Sequence, residues 1–533
     1  MDEKDRPCGK DVAQGSGQGT SRIRRLVVIS FVLLYCLVGV PLWYRLTTIY
    51  RAPLPSDYIR DLHSDPHSDI HLTIPVYVRS DVYKFPDINN AIQNQADALL
   101  QSVNSETGKK VQWSLQILPF EDGKVDLEQD YVVTLVLDEF MGLTMPQLSM
   151  ETIVFYNDKS VVNNDLPFFV AQALIEHTFK PEFNRFSKGR IEENNMAVSY
   201  NPEMHISISL LTGDGYPVSW AIEQSVREYF SPVRDLLSPV VNFTVDTGIE
   251  YHNDLNLQSI PNSDSISWED LSHTLDLSDL SSVNHYKEHN SIDLAIVFPS
   301  QNTGPLNFIN DTASTISDEA DSESIWRSFL VPQWGVVVLN KNPLPANAYV
   351  TEEYLSLVLS TFSNDLFKLL GITHSNEELN SPLSQIGSFK RLMIIENLET
   401  SITTLSSLVN MTNNLQQMSI PKEVLEDVNN ALSLRLQIIR LLNNPELGSE
   451  AVWNEALILS NELVKICERA FFNKEMVQQM FFPQEHKIAV YLPLLGPITV
   501  VTFTGFIKYL KDVLKKREKN EKNTADLKEE KAD

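Results

Sequence analysis

The sequence predicts a mixed α/β layered domain followed by a helical bundle, the pair flanked by two transmembrane helices. Three observations lead there. Uncharged apolar stretches stand near both ends, Leu26 to Tyr44 and Ile488 to Ile507; short β-branched runs alternate with amphipathic stretches from Thr73 to Leu339; and after about Tyr349 helical periodicity replaces the strand signal. In chain order this gives a tail at 1–25, a span at 26–44, the α/β domain at 45–350, a helical region at 351–487, a second span at 488–507 and a charged tail at 508–533.

Each apolar stretch is long enough to cross a bilayer as one helix. Lys and Arg next to a span stay on the cytosolic face, so Arg22, Arg24 and Arg25 before the first span, and Lys508, Lys511, Lys515, Lys516 and Arg517 after the second, put both tails in the cytosol. The domain between them is then lumenal. The three N-glycosylation acceptors, Asn242, Asn310 and Asn410, agree with this because all fall between the spans. A cleaved signal peptide fits the first stretch poorly: it is long for an h-region and ends in Pro41, Trp43 and Tyr44 rather than in a small-residue cleavage site. Pro493, Gly496, Pro497 and Gly505 make the second span irregular, and freed backbone groups in lipid require neighbouring protein. Arg22 and Arg25, three apart on one helical face, form a candidate contact for an anionic lipid headgroup; plain positive-inside orientation explains the same residues.

The net charge is −27; each end carries +2, which leaves −31 for the residues between the spans. A domain this acidic repels nucleic acid and anionic membrane surfaces. Of the three cysteines, Cys8 precedes the first span, Cys36 lies within it and only Cys467 is lumenal, so no internal lumenal disulfide can form. A chain of this length buries enough apolar surface to do without one.

The expected strands are Thr73 to Arg79, Gln112 to Leu118, Tyr131 to Leu137, Thr152 to Tyr156, Met204 to Leu210, Ile292 to Phe298 and Gly335 to Leu339. Between them the amphipathic stretches Ile88 to Leu100, Pro167 to Phe179 and Trp220 to Phe230 read as helices, while the Ser- and Asp-rich Ser259 to Asp279 and Asn310 to Ser324 read as exposed loops. In the helical region three apolar stripes stand out. Leu392, Ile395, Leu398, Ile402, Leu405 and Leu408 form the first; Leu425, Val428, Leu432, Leu436 and Ile439 the second; Trp453, Leu457, Val464, Cys467 and Phe471 the third, with Ser460 on the same face.

No catalytic constellation emerges, and no metal or cofactor is expected. His285, Glu288 and His289 match the H-x-x-E-H pattern of a zinc peptidase, but the stretch lacks the apolar helical periodicity that would place both imidazoles on one helix face. His63, His67 and His71 alternate with Asp61, Asp65 and Asp69; Pro66 interrupts the helix that would gather them, which predicts an exposed juxtamembrane linker. Cys467 lies on an apolar stripe and reads as a buried, inert thiol.

Several segments resemble the PIG-S subunit of the GPI transamidase. They are PLWYRLTTIYRAPLP (Pro41 to Pro55), SWAIEQSVREYFSPV (Ser219 to Val233), VNFTVDT (Val241 to Thr247), VPQWGVVVLN (Val331 to Asn340), ENLETSITTLSSL (Glu396 to Leu408) and MFFPQEHKIAVYLPLLGP (Met480 to Pro497), in the family's order over nearly the whole chain. The resemblance implies a subunit of an endoplasmic-reticulum membrane complex that cleaves a C-terminal signal from proproteins and joins the new carboxyl end to a GPI lipid. It also implies that the cysteine-protease chemistry belongs to PIG-K, and that this chain is a non-catalytic partner assembled with PIG-K, PIG-T, PIG-U and a zinc-peptidase-like subunit. Two other readings compete, a lumenal cargo receptor or adaptor and an independent zinc hydrolase at His285 and His289.

Overall fold

The structure is a computed structural model that describes residues 16–39, 41, 44, 50–80, 87–105, 111–188, 198–257, 290–306, 315–316, 325–332, 334–372, 381–415, 418–444, 450–476 and 484–529. In chain order the helices are α1 (Ser16–Leu34), α2 (Ser56–Ser64), α3 (Ile88–Ser105), α4 (Asp158–Val162), α5 (Leu166–Ala173), α6 (Lys180–Lys188), α7 (Ile222–Ser225), α8 (Ser231–Leu237), α9 (Glu352–Leu369), α10 (Pro382–Asn414), α11 (Lys422–Leu442), α12 (Glu450–Phe471) and α13 (Gln484–Glu529). Short π-helical turns extend α1, α5 and α7. The chain divides into two compact units, Met1–Ile59 with Thr404–Asn429 and Cys467–Asp533, and Arg60–Thr403 with Asn430–Ile466.

The second of these units holds both large sheets. The first sheet has the order β2-β1-β3-β5-β4, made of β1 (His71–Ser80), β2 (Gln112–Pro119), β3 (Tyr131–Leu137), β4 (Gly142–Thr144) and β5 (Glu151–Tyr156), parallel except for β4. The other sheet has the order β10-β11-β12-β9-β6-β8. Its strands are β6 (Glu203–Thr212), β8 (Asn242–Tyr251), β9 (Asn290–Phe298), β10 (Thr315–Ile316), β11 (Trp326–Val331) and β12 (Gly335–Asn340), while β7 (Ser219–Trp220) pairs separately with β13 (Tyr349–Val350). Parallel strands covered on both faces need unbroken apolar runs rather than alternation. Val132, Val133 and Leu135 in β3, and Val336 to Leu339 in β12, meet that need and are buried.

All seven expected strands form. Missing from the sequence reading were β8 and β11 among the longer strands, for in both an acidic or basic side chain interrupts the apolar pattern. The start of the expected helical region covers the second sheet: α9 packs on β11 and β12, with Phe362 stacked on Phe230 at 5.6 Å and Tyr354 against Trp326 at 5.2 Å.

Most of the expected stripes of α10 and α12 are buried, with Ile395, Leu398, Ile402, Leu405 and Leu408 on one and Trp453, Leu457, Ser460 and Cys467 on the other, while Leu392, Val464 and Phe471 are half-buried. The stripe of α11 is turned. Val428 and Ile439 of the expected stripe are buried, but the other buried side chains are Val424, Asp427, Ala431, Arg435, Ile438 and Leu442, whereas Leu436 is exposed. A basic residue fills the middle of the inner face, and apolar content alone therefore picks a face displaced by one position.

In the other unit α1 packs against α13, and the hydroxyls of Tyr35 and Thr499 lie 3.0 Å apart. The α13 backbone stays helical through Pro493 and Pro497. Among the described residues no helix is long and apolar enough to cross a membrane. Both expected spans fall partly outside those residues, at positions 40, 42 and 43 and at the side chains of 488–492, 494 and 495. Where side chains are described, the two helices turn apolar residues outward: Leu26, Val27, Phe31 and Leu33 on α1, Ile498, Val500, Val501 and Phe503 on α13. Arg51 fixes the chain after α1 by donating to the carbonyls of Thr412 and Leu415, and Ala52 and Tyr50 exchange backbone hydrogen bonds with Ile420.

Candidate functional site

Within the larger unit, buried polar contacts tie the long helices to the first sheet and its helices. At their centre is Arg391, on the inner face of α10 and wholly buried. Its Nε donates to Glu182 of α6 at 2.9 Å and its Nη2 to the Tyr131 hydroxyl of β3 at 2.9 Å. The guanidinium also lies over the rings of Tyr131, Phe179 and Trp453, 5.1, 5.7 and 5.7 Å from their centroids. Three aromatic faces and one carboxylate thus replace the water that a buried cation loses. Burial alone would lower the pKa of Arg391, but Tyr131 and Glu182 outweigh it and hold the guanidinium above its ordinary value. Burial pushes the Tyr131 hydroxyl up to about 12. Next to Arg391, Lys390 pairs with Glu450 at the start of α12, and Gly387, one turn earlier, leaves no room for a Cβ against the Tyr131 hydroxyl.

Three further contacts extend this seam. Arg185 of α6 reaches Glu399 at 3.0 Å, and Glu399 also meets His67 at 3.0 Å. Arg435 grips both carboxylate oxygens of Asp69 at 2.7 and 2.8 Å, a two-pronged geometry that fixes angle as well as distance. Asn397 donates to Ser460 and Asn461 of α12, and Asn461 in turn donates to Tyr200. The expectation of an exposed juxtamembrane linker is thereby corrected. Asp69 is held by Arg435 of α11 and His67 by Glu399 of α10, while Ile70 and Leu72 beside them in the chain are buried. The three histidines are not gathered: His63 is on α2, His67 faces Glu399 and His71 opens β1.

Doubly wound sheets bind ligands where successive strands leave in opposite directions, beyond their carboxyl ends. In the second sheet that point lies between β6 and β9. There Gly213 donates to the Phe298 carbonyl, a Cβ on Gly213 would strike the backbone of Ser300, and the Asp214 carboxylate accepts from the amide of Gln301. Backbone approaches closely at this point, and the Asp214 carboxylate is engaged by it.

The sequence-derived site residues fall as follows. Asn242 is exposed at the first position of β8, and Asn410 is exposed on α10 with Thr412 of its acceptor motif buried. Asn310, His285, Glu288 and His289 lie outside the described residues, as do the side chains of Arg22 and Arg25, whose backbones belong to α1. Cys467 is buried on α12. Among the described residues no group of three His, Cys, Asp or Glu side chains could hold a metal ion. Sequence reasoning passed over Arg391, Glu182 and Arg435. The available signal was basic residues set within an apolar helical stripe, as Lys390 and Arg391 stand between Phe389 and Leu392.

The family model for phosphatidylinositol-glycan biosynthesis class S proteins matches residues 30–516. The chain belongs to the PIG-S family. It is 52% identical over 510 residues to the GPI transamidase component GPI17 of Saccharomyces cerevisiae, covering 94% of both chains. It is 25% identical to the GPI transamidase component PIG-S homolog of Schizosaccharomyces pombe, over 93% of this chain and 85% of that one. With the GPI-anchor transamidase component PIGS of Homo sapiens the identity is again 25%, over 92% of this chain and 96% of that one. The segments that resemble PIG-S all fall within the matched span.

Proposed function

We propose that this protein is a non-catalytic, scaffolding subunit of the GPI transamidase, held in the endoplasmic-reticulum membrane by α1 and α13 with its sheets in the lumen and both termini in the cytosol. The observation that carries the reading is the 52% identity, across nearly all of both chains, with a protein named as a GPI transamidase component. Three features support the finer claims. Apolar side chains point outward along α1 and α13, and lipid or partner helices would cover them. Basic residues adjoin both helices on the sides assigned to the cytosol, with Arg22 and Arg25 in this reading contacting anionic headgroups. The buried ionic seam gives the lumenal unit a fixed register, a requirement for holding several partners at once.

In this reading the cleavage and transfer chemistry resides on a PIG-K subunit, with PIG-T, PIG-U and a zinc-peptidase-like subunit completing the assembly. The test is extraction in mild detergent followed by mass spectrometry of what travels with the chain. Recovery of these subunits at constant ratio, with no zinc bound to the purified chain, is the expected result. Recovery of the chain without these subunits would favour the adaptor reading, and stoichiometric zinc the hydrolase.

A further inference from the structure

A sheet's outer strand presents a row of backbone groups that another strand can pair with, and folded proteins blunt such edges. Three of the four outer strands in the two sheets are blunted. Strands β4 and β10 are three and two residues long. Strand β2 is longer, but the side-chain amide of Gln93 caps it as a strand would, donating to the Leu115 carbonyl and accepting from the Ile117 amide, both at 2.8 Å.

Strand β8 is different. It runs ten residues in unbroken parallel register with β6, and among the described residues nothing pairs with its other side. Residues of a parallel strand send both backbone groups alternately to one neighbour and to the other. Asn242 donates to the Pro202 carbonyl beside β6, so Val245, Thr247 and Ile249 direct theirs outward. Among the described residues nothing stands within 4 Å of where a Cβ on Gly248 would lie, so they leave the middle of the strand uncovered on that face too. Asp246 is exposed with one carboxylate oxygen 3.4 Å from His205 Nε2, and Glu250, which accepts from Asn253, stands on the same face, so each carboxylate keeps a second oxygen for a partner.

We infer that the outer edge of β8 is a docking strip for an extended segment of another subunit, a strand carrying Lys or Arg in register with Asp246 and Glu250. Backbone hydrogen bonds would supply the affinity and the opposed charges the register. The inference rests on the reading of the chain as a scaffold, and names one place where it holds a partner.

The test uses the full complex in mild detergent. Thr247→Pro removes one outward N–H and leaves the bonds to β6 in place; Asp246→Lys combined with Glu250→Lys reverses the charge; Thr247→Ala is the control. Recovery of partner subunits per mole of this chain is expected to fall at least about fivefold in the first two and to stay unchanged in the third. Hydrogen exchange at the outward amides of Val245, Thr247 and Ile249 in the unsubstituted protein tests the same claim without any variant. These amides should exchange fast in the isolated full chain and slowly in the complex. Protection already present in the isolated chain would mean that the chain covers its own edge, and a Thr247→Cys homodimer would mean that a second copy does; either overturns the proposal. So would full recovery with Thr247→Pro. The scaffold reading survives those results and fails only if the unsubstituted chain recovers no partners.

Discussion

Arg391 is kept charged at full burial because Glu182 and three aromatic rings together replace its water. Removing one partner of such a pair strands the other, at a cost of about 3–5 kcal/mol, whereas replacing both by apolar groups of similar volume is often neutral. Arg391→Ala is therefore expected to lower unfolding stability by about 3–5 kcal/mol and Arg391→Met with Glu182→Leu by clearly less, measured by chemical denaturation of the purified chain. Equal losses would show that the seam is held by something other than this pair. Asp69 gives a pH test. Burial would raise its pKa, but Arg435 overrides that and holds it below its ordinary 3.8. With the folded-state value depressed, the contribution is fully present above the unfolded value and disappears as pH falls through the folded one. The Asp69 contribution should thus be constant down to about pH 5 and be lost below about pH 4. Asp69→Asn, compared with the unsubstituted chain over that range, should flatten the acid limb; an unchanged slope would contradict the assignment.

At the scale of elements, α11 decides between two faces. If Arg435 belongs to the inner face, Ile438→Ala should cost about 2–5 kcal/mol and Leu436→Ala less than about 0.5 kcal/mol. The reverse order would restore the face chosen from apolar content alone. This is also where legibility in the sequence ended. The long parallel strands were readable because burial on both faces demands runs such as Tyr131 to Leu137. Strand β8 was not, because an edge strand tolerates Asp246, Gly248 and Glu250 along its length. The linker around Asp69 was misjudged for the same kind of reason: its partners on α10 and α11 lie more than 300 positions away, at Glu399 and Arg435, and a local pattern carries no trace of them. Family resemblance was legible because many short segments matched in order, although none of them carries a catalytic signature.

For the whole molecule, the proposed topology makes a sharp expectation. A glycosidase that trims N-glycans should shift the protein's gel mobility, with Asn242 used because it is exposed at the start of a strand. Tags on both termini should be cleaved by protease added to sealed microsomes, and a protected tag at either end would contradict two spans. The central claim is that the chain supports the reaction by assembly alone. Its most direct test measures, in cells depleted of the native protein, both GPI attachment and the amount of assembled complex for Cys467→Ser, Arg391→Ala and Thr247→Pro. The account predicts that attachment falls only in proportion to assembly, with Cys467→Ser near normal in both. A variant that leaves the complex fully assembled while abolishing attachment would contradict it.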